Sequence, residues 1–177
     1  NISGQVFVFD DADENANSTA IVQELLELPR YGERIWPFVG GTEINARPDL
    51  GTDRYVFGFG RMSLEEAETT WPRLVSIALN RVKPDRESRP KNQQSIALAK
   101  RWWQWHTDRP TLKVASKGLS RTIVASSVTA HFCFCFQPND RVFAHTINVF
   151  SLEKGSAFAC MQCRTHEVWV RFFASSL

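Results

Sequence analysis

Thr122-Ile123-Val124-Ala125-Ser126-Ser127, His131-Phe132-Cys133-Phe134-Cys135-Phe136-Gln137 and Val142-Phe143-Ala144-His145-Thr146-Ile147-Asn148-Val149-Phe150 follow one another with short breaks between them. β-Branched and aromatic residues dominate them, and Pro138-Asn139-Asp140 supplies a turn. The spacing predicts three strands, at least two of them in a hairpin. Helical patterns come earlier in the chain and strands cluster late. That order fits an α+β domain rather than a doubly wound sheet. The expected architecture is a mixed, mainly antiparallel twisted sheet with packed helices.

Upstream, Val6-Phe7-Val8-Phe9 is a short strand candidate ending in the acidic turn Asp10-Asp11. Ser18 or Thr19 can cap a helix whose Ile21, Leu25 and Leu28 share a face. In Ile35-Trp36-Pro37-Phe38-Val39-Gly40-Gly41-Thr42-Glu43-Ile44-Asn45, two adjacent glycines let the backbone turn sharply. A second strand is predicted over 54–60. Ser63-Leu64-Glu65-Glu66 has the form of a capping box, opening a helix to about residue 82 that Pro72 breaks or kinks. Residues 83–95 read as a mobile basic loop, and 96–106 as a third helix. A last helix over 156–173 carries so many apolar residues that it is expected to be largely buried.

The chain has 177 residues, of which 43% are hydrophobic, enough for one domain with a core that needs no disulfides. No apolar run reaches the length of a membrane span. The chain begins with Asn and carries no secretion signal, so it reads as a piece of a longer cytoplasmic protein with reduced cysteines. The net charge of +2 conceals an uneven distribution. Residues 81–121 hold 11 Lys/Arg against 3 Asp/Glu, whereas residues 1–80 hold 6 against 13. A concentrated basic block suits a polyphosphate partner, because binding releases condensed counterions. The other reading of the same block is a solvated helix face.

Patterns that suggest chemistry weaken on inspection. Gly58-Phe59-Gly60 imitates a cofactor loop but lacks the third glycine and a placed acidic partner. Cys133, Cys135, Cys160 and Cys163 could form a zinc site, yet they interrupt an aromatic strand and an apolar helix, so buried reduced thiols are expected and no metal. His106, His145 and His166 have no local partner that marks acid–base work. Trp102, Trp103 and Trp105 are read as core rather than as a base-stacking platform. No catalytic residue is assigned.

Several of these segments, taken in order, carry a family resemblance. Phe7-Val8-Phe9-Asp10-Asp11, Trp36-Pro37-Phe38-Val39-Gly40-Gly41-Thr42-Glu43-Ile44-Asn45, Arg54-Tyr55-Val56, the 62–72 segment, Arg81-Val82-Lys83-Pro84-Asp85-Arg86, Arg101-Trp102-Trp103-Gln104 and His166-Glu167-Val168-Trp169-Val170-Arg171-Phe172-Phe173 span nearly the whole chain. The chain resembles the target-recognition region of MmeI-like and TaqI-like adenine-specific DNA methyltransferases of type II restriction–modification systems. The resemblance implies a bacterial parent enzyme that binds S-adenosylmethionine in another domain of the same polypeptide, methylates adenine at N6, and in some relatives also cuts DNA. It implies a fold like the recognition domains of restriction–modification specificity subunits, with double-stranded DNA as partner. These methyltransferases use an Asn/Asp-Pro-Pro-Phe/Tyr motif, and no Pro-Pro pair exists here. This segment alone is therefore expected to hold no cofactor and to lack methyl transfer.

Two sets of DNA contacts are predicted. Lys83, Arg86, Arg89, Lys91, Arg101, Lys113 and Lys117 are candidates for phosphates. Arg121, Ser126, Ser127, Thr129, His131, Asn139 and Arg141 are candidates for base edges, a choice that draws partly on the late strand-rich determinants of the relatives. The alternative is a protein-interaction or scaffolding module in a DNA-defence complex.

Overall fold

The computed structural model describes residues 5–90, 92–107 and 109–173. In chain order the elements are β1 (Val8–Phe9), α1 (Ala20–Leu26), β2 (Ile35–Val39), α2 (Gly41–Ala46), β3 (Tyr55–Phe57), α3 (Leu64–Thr70), α4 (Pro72–Ser88), α5 (Gln93–Lys100), α6 (Pro110–Ala115), β4 (Arg121–Ser126), β5 (Cys135–Pro138), β6 (Val142–Phe143), β7 (Ile147–Phe150), α7 (Gly155–Gln162) and α8 (Arg164–Phe173). The fold is α+β with mixed and antiparallel sheets, and the β1–β3, β2–β3, β4–β5 and β4–β7 pairs run antiparallel. The sequence reads as one domain, but the chain divides into two compact units. The first comprises Asn1–Phe38 with Thr52–Asp108, and the second Val39–Gly51 with Arg109–Leu177. No helix among the described residues is long and apolar enough to cross a membrane.

In the first unit β3 lies between β1 and β2, with Val56 opposite both Val8 and Trp36. Phe7, Phe9, Phe57 and Phe59 are fully buried, and the Phe57 ring centroid lies 5.3 Å from Phe7 and 5.5 Å from Phe9. Burying one such ring contributes about 1.5–3 kcal/mol. The Ser63 hydroxyl accepts the Glu66 amide and starts α3, which ends before Pro72. Pro72 then occupies the first position of α4, where its missing N–H costs nothing.

α4 corrects the predicted loop over 83–95. It continues through Pro84 to Ser88, and α5 begins at Gln93. An interior proline costs a helix about 3 kcal/mol. The offset is the stripe Leu74, Ala78, Val82 and Arg86, buried at four-residue spacing. α5 starts earlier than predicted because Asn92 and Ser95 cap it reciprocally, each accepting the other's amide at 2.8 Å. It ends at Lys100, so the tryptophans lie in the turn beyond the helix.

In the second unit β4 lies between β5 and β7, with Ile123 opposite Phe136 and Phe150. Val124, Cys135 and Ile147 form a core with Val39 and Ile44, which seats α2 against β4. The predicted strand over 131–137 pairs only from Cys135 onward. The one over 142–150 splits into β6 and β7, because Ala144 donates to the Val39 carbonyl and accepts from the Ile147 amide in a turn.

The C-terminal expectation fails in two ways. The helix over 156–173 is two helices, broken at Cys163, whose backbone is extended. It is not buried either: Trp169 is 59% exposed and Phe172 79%. His166, on the inner side of α8, touches Phe132 and Phe134, while Glu167 bridges Arg164 and Arg171. No described residue covers the remaining apolar edge.

Candidate nucleic-acid interface

The base-edge candidates collect at the two ends of β4. Arg121 opens the strand, and the 127–131 segment follows its last residue. Five steps of about 3.3 Å separate Arg121 from Ser126, so the two groups stand roughly 17 Å apart. The structure does not bring them into one cluster.

At the first end, Arg121 is exposed and its guanidinium lies 3.8 Å above the Phe136 ring. Phe136 in turn stacks on Phe158 with centroids 5.0 Å apart. Arg121 Nε donates to the Glu153 carbonyl at 3.1 Å. Stack and anchor hold the group, and its Nη1 and Nη2 make no hydrogen bond among the described residues. A held fork loses little freedom when it meets a bidentate acceptor. Phe136, Phe158 and Glu153 escaped the sequence reading. Their only sequence signal was the aromatic alternation of Phe132, Phe134 and Phe136.

Asn139 and Arg141 neighbour this end, and both are hydrogen-bonded within the protein. Asn139 Nδ2 donates to the Ser116 and Leu119 carbonyls, locking the turn. Arg141 Nη1 donates to Gln137 Oε1 at 2.8 Å, and its Nε donates to Asp140.

At the second end, Ser127, Thr129 and His131 are exposed in a loop, so His131 does not open a strand. The His131 amide donates to Thr129 Oγ1, and the Ser127 hydroxyl donates to the Thr146 carbonyl. Ser126 is 7% exposed, and its hydroxyl donates to the Val128 carbonyl. It supports the loop from inside and does not face a base.

The phosphate candidates divide in the same way. Arg86 is 2% exposed, its Nη1 donates to the Leu98 and Arg101 carbonyls, and it sits over the Phe7 ring. Burial, followed by the nearby Arg89 charge, lowers its pKa to about 10 against the pull of Asp85. It is still protonated at neutral pH, but it ties α4 to the turn after α5 and is not presented to a phosphate. Arg89 is paired with Asp85 at 2.7 Å, and Lys83 reaches over the Trp102 ring. Arg101, Lys113 and Lys117 are exposed. Lys91 lies outside the described residues. Counted by unit, the first holds 12 Lys/Arg against 14 Asp/Glu and the second 9 against 5. The positive excess therefore belongs to the unit containing β4.

Of the cofactor-like glycines, Gly58 has a packing role and Gly60 takes a φ of +63° in open space. A Cβ on Gly58 would stand 2.5 Å from the Trp105 indole, which donates from Nε1 to the Phe57 carbonyl. That indole fills the space beside Gly58. Trp103 Nε1 likewise donates to the Met62 carbonyl, and Trp102 is buried. Among the cysteines only Cys135 is buried, and desolvation pushes its thiol up to about 11; Cys133, Cys160 and Cys163 are exposed, contrary to the expectation of four buried thiols. No cluster of three or more His, Cys, Asp or Glu suited to a metal occurs among the described residues. His166 Nδ1 meets the Met161 carbonyl at 2.7 Å, which holds its ring against the aromatics.

No protein-family profile and no curated protein matches the chain. Among solved structures, it is similar to the type IIL restriction–modification enzyme MmeI, whose structure is in complex with DNA. The TM-score is 0.65 at 14% identity, and the match covers 98% of this chain. The chain spans 21% of the length of that enzyme. The likeness establishes a fold related to part of a restriction–modification enzyme.

Proposed function

We propose that the chain is a target-recognition module of a bacterial restriction–modification DNA methyltransferase. It reads double-stranded DNA and positions it for adenine-N6 methylation by a domain outside this segment, with S-adenosylmethionine bound there. The observation that carries this reading is the Arg121 fork. A guanidinium stacked on Phe136, anchored through Nε and open at Nη1 and Nη2, suits a bidentate acceptor such as guanine O6/N7. It stands on the unit with the positive excess, and the fold is that of a stretch of an enzyme solved with DNA. Exposed Lys117 and Lys113 serve as phosphate contacts on the same unit. The parent is a site-specific methyltransferase, in some architectures joined to an endonuclease.

The test is binding to a randomised duplex pool. Arg121→Ala should relax preference at one base pair, at a cost of about 1–3 kcal/mol, without abolishing binding at low salt. A preference profile identical to that of the wild type would remove Arg121 from the readers.

One observation favours a second reading, a protein-interaction module. Val168, Trp169, Phe172 and Phe173 are each more than half exposed along α8, and an exposed apolar stripe of that kind marks a protein-facing surface. Tight duplex binding with a strong salt dependence would decide for DNA as the principal partner.

A further inference from the structure

The Gly40–Asn45 stretch contributes no exposed cation and no base-edge candidate, yet its Glu43 and Asn45 side chains are tied down. Glu43 is 5% exposed, and its Oε2 accepts the Gly40 amide at 2.8 Å, closing the first turn of α2. Ile44 lies in the core with Val124 and Ile147. Asn45 is thereby aimed at the far end of β4. Its Nδ2 donates to Ser126 Oγ and to the Val128 carbonyl, each at 3.2 Å. Ser126 Oγ donates to the same carbonyl at 2.9 Å and accepts the Val128 amide at 3.4 Å. Gly41 packs beside this cluster, where a Cβ would make ordinary contact with Ser126 Oγ at 3.4 Å and Asn45 Nδ2 at 3.8 Å. Val128, held in this way at its backbone, is 73% exposed between Ser127 and Thr129.

We propose that Asn45 is a positioning residue for base reading. From α2 it sets the shape of the 127–131 loop, so that Ser127, Thr129 and His131 meet base edges in the major groove. This rests on the DNA-reading function proposed above. Hydroxyl and imidazole groups discriminate bases only when held within about 0.5 Å of the productive geometry, which a free loop does not provide. The carboxamide is chemically required, because its two N–H groups serve two acceptors. Aspartate has the same shape and offers neither donor.

The test uses the full chain and two measurements, amide hydrogen exchange over the loop and selection from randomised duplex DNA. Asn45→Asp should speed exchange of the Val128 amide by about tenfold or more. It should flatten preference at the base pairs the loop reads, while low-salt affinity for random duplex stays within about twofold. A merely structural role would lower stability and total affinity together and leave the preference profile intact. If Asn45→Asp does not fold, Ser126→Ala removes the shared hydroxyl and should give the same two effects. Unchanged loop exchange, or an unchanged preference profile beside faster exchange, overturns the proposal and leaves the DNA reading standing. A wild-type chain that enriches no sequence overturns both.

Discussion

Residues 83–101 of the first unit and 113–131 of the second are both rich in cations, but the two segments place them differently. In the first, Arg86 is buried against two carbonyls, Arg89 is closed on Asp85 and Lys83 lies over an indole. In the second, Lys117 is exposed and Arg121 is held with its outer nitrogens free of the residues that hold it. A basic run in sequence is therefore not a basic surface. What separates the two is whether a helix carries the arginine into the core or a strand end carries it out.

Substitutions can break this comparison. The largest effect is expected at Arg86→Ala, which empties a buried site over Phe7 and cuts the tie from α4 to the Leu98 and Arg101 carbonyls, and should cost about 2–4 kcal/mol. Its urea midpoint should fall while the salt dependence of DNA binding does not change. A changed salt slope at normal stability would place Arg86 on the DNA side after all. Gly58→Ala should cost about 1–3 kcal/mol by forcing Trp105 off its seat, visible in tryptophan emission as well as in thermal unfolding. A tolerated alanine would reopen that loop to a ligand.

The second segment should respond in the opposite manner. Lys117→Ala should leave stability unchanged, weaken all duplex sequences alike and lower the salt slope by about 0.9. Thiol labelling sharpens the map of the same unit at no cost in stability. Cys133, Cys160 and Cys163 should react quickly in the native protein, and Cys135 only after denaturation. Fast labelling of a fourth thiol would show that the sheet core opens. The smallest effect is expected in acid. Arg171 and then Arg164 hold the Glu167 carboxyl below its ordinary value of 4.5. Their contribution is present above that value and is lost as pH falls through the lower folded value. Helix content should drop slightly there, and less so in Glu167→Gln, whose loss has already occurred at neutral pH.

The strand-rich tail was legible because alternation and the Pro138–Asp140 turn are local signals; β4 nearly matches its expected range, while β5 and β7 occupy only the later parts of theirs. Pro84 misled for the opposite reason. Local chemistry argues for a break, and only the buried stripe of α4, a tertiary fact, carries the helix past it. The exposure of α8 was illegible because apolar spacing says which residues want cover and not whether this chain supplies it. At the candidate site, residue type selected Arg121, Ser127, Thr129 and His131 together with Ser126, Asn139 and Arg141. It carried no sign of the partners that the tertiary fold gives three of them, carbonyls for Ser126 and Asn139 and the Gln137 and Asp140 side chains for Arg141. Asn45 was invisible as a site residue because its acceptors lie 81 and 83 residues away.

That separation has a bearing on how the protein is made. The second unit is assembled from two pieces of chain, Val39–Gly51 and the part after Arg109, with a large part of the first unit emerging between them. A ribosome adding about 5–20 residues per second has α2 outside for roughly 4–16 s before Val128 arrives to meet Asn45. During that interval Ile44 and Val39 have no β4 to cover them. A graft that moves the β4–β7 sheet to another protein without the short early piece would leave the same residues' partners exposed for good. The transferable cassette is therefore discontinuous, and exchanging it takes junctions at 38/39, 51/52 and 108/109 rather than a single splice.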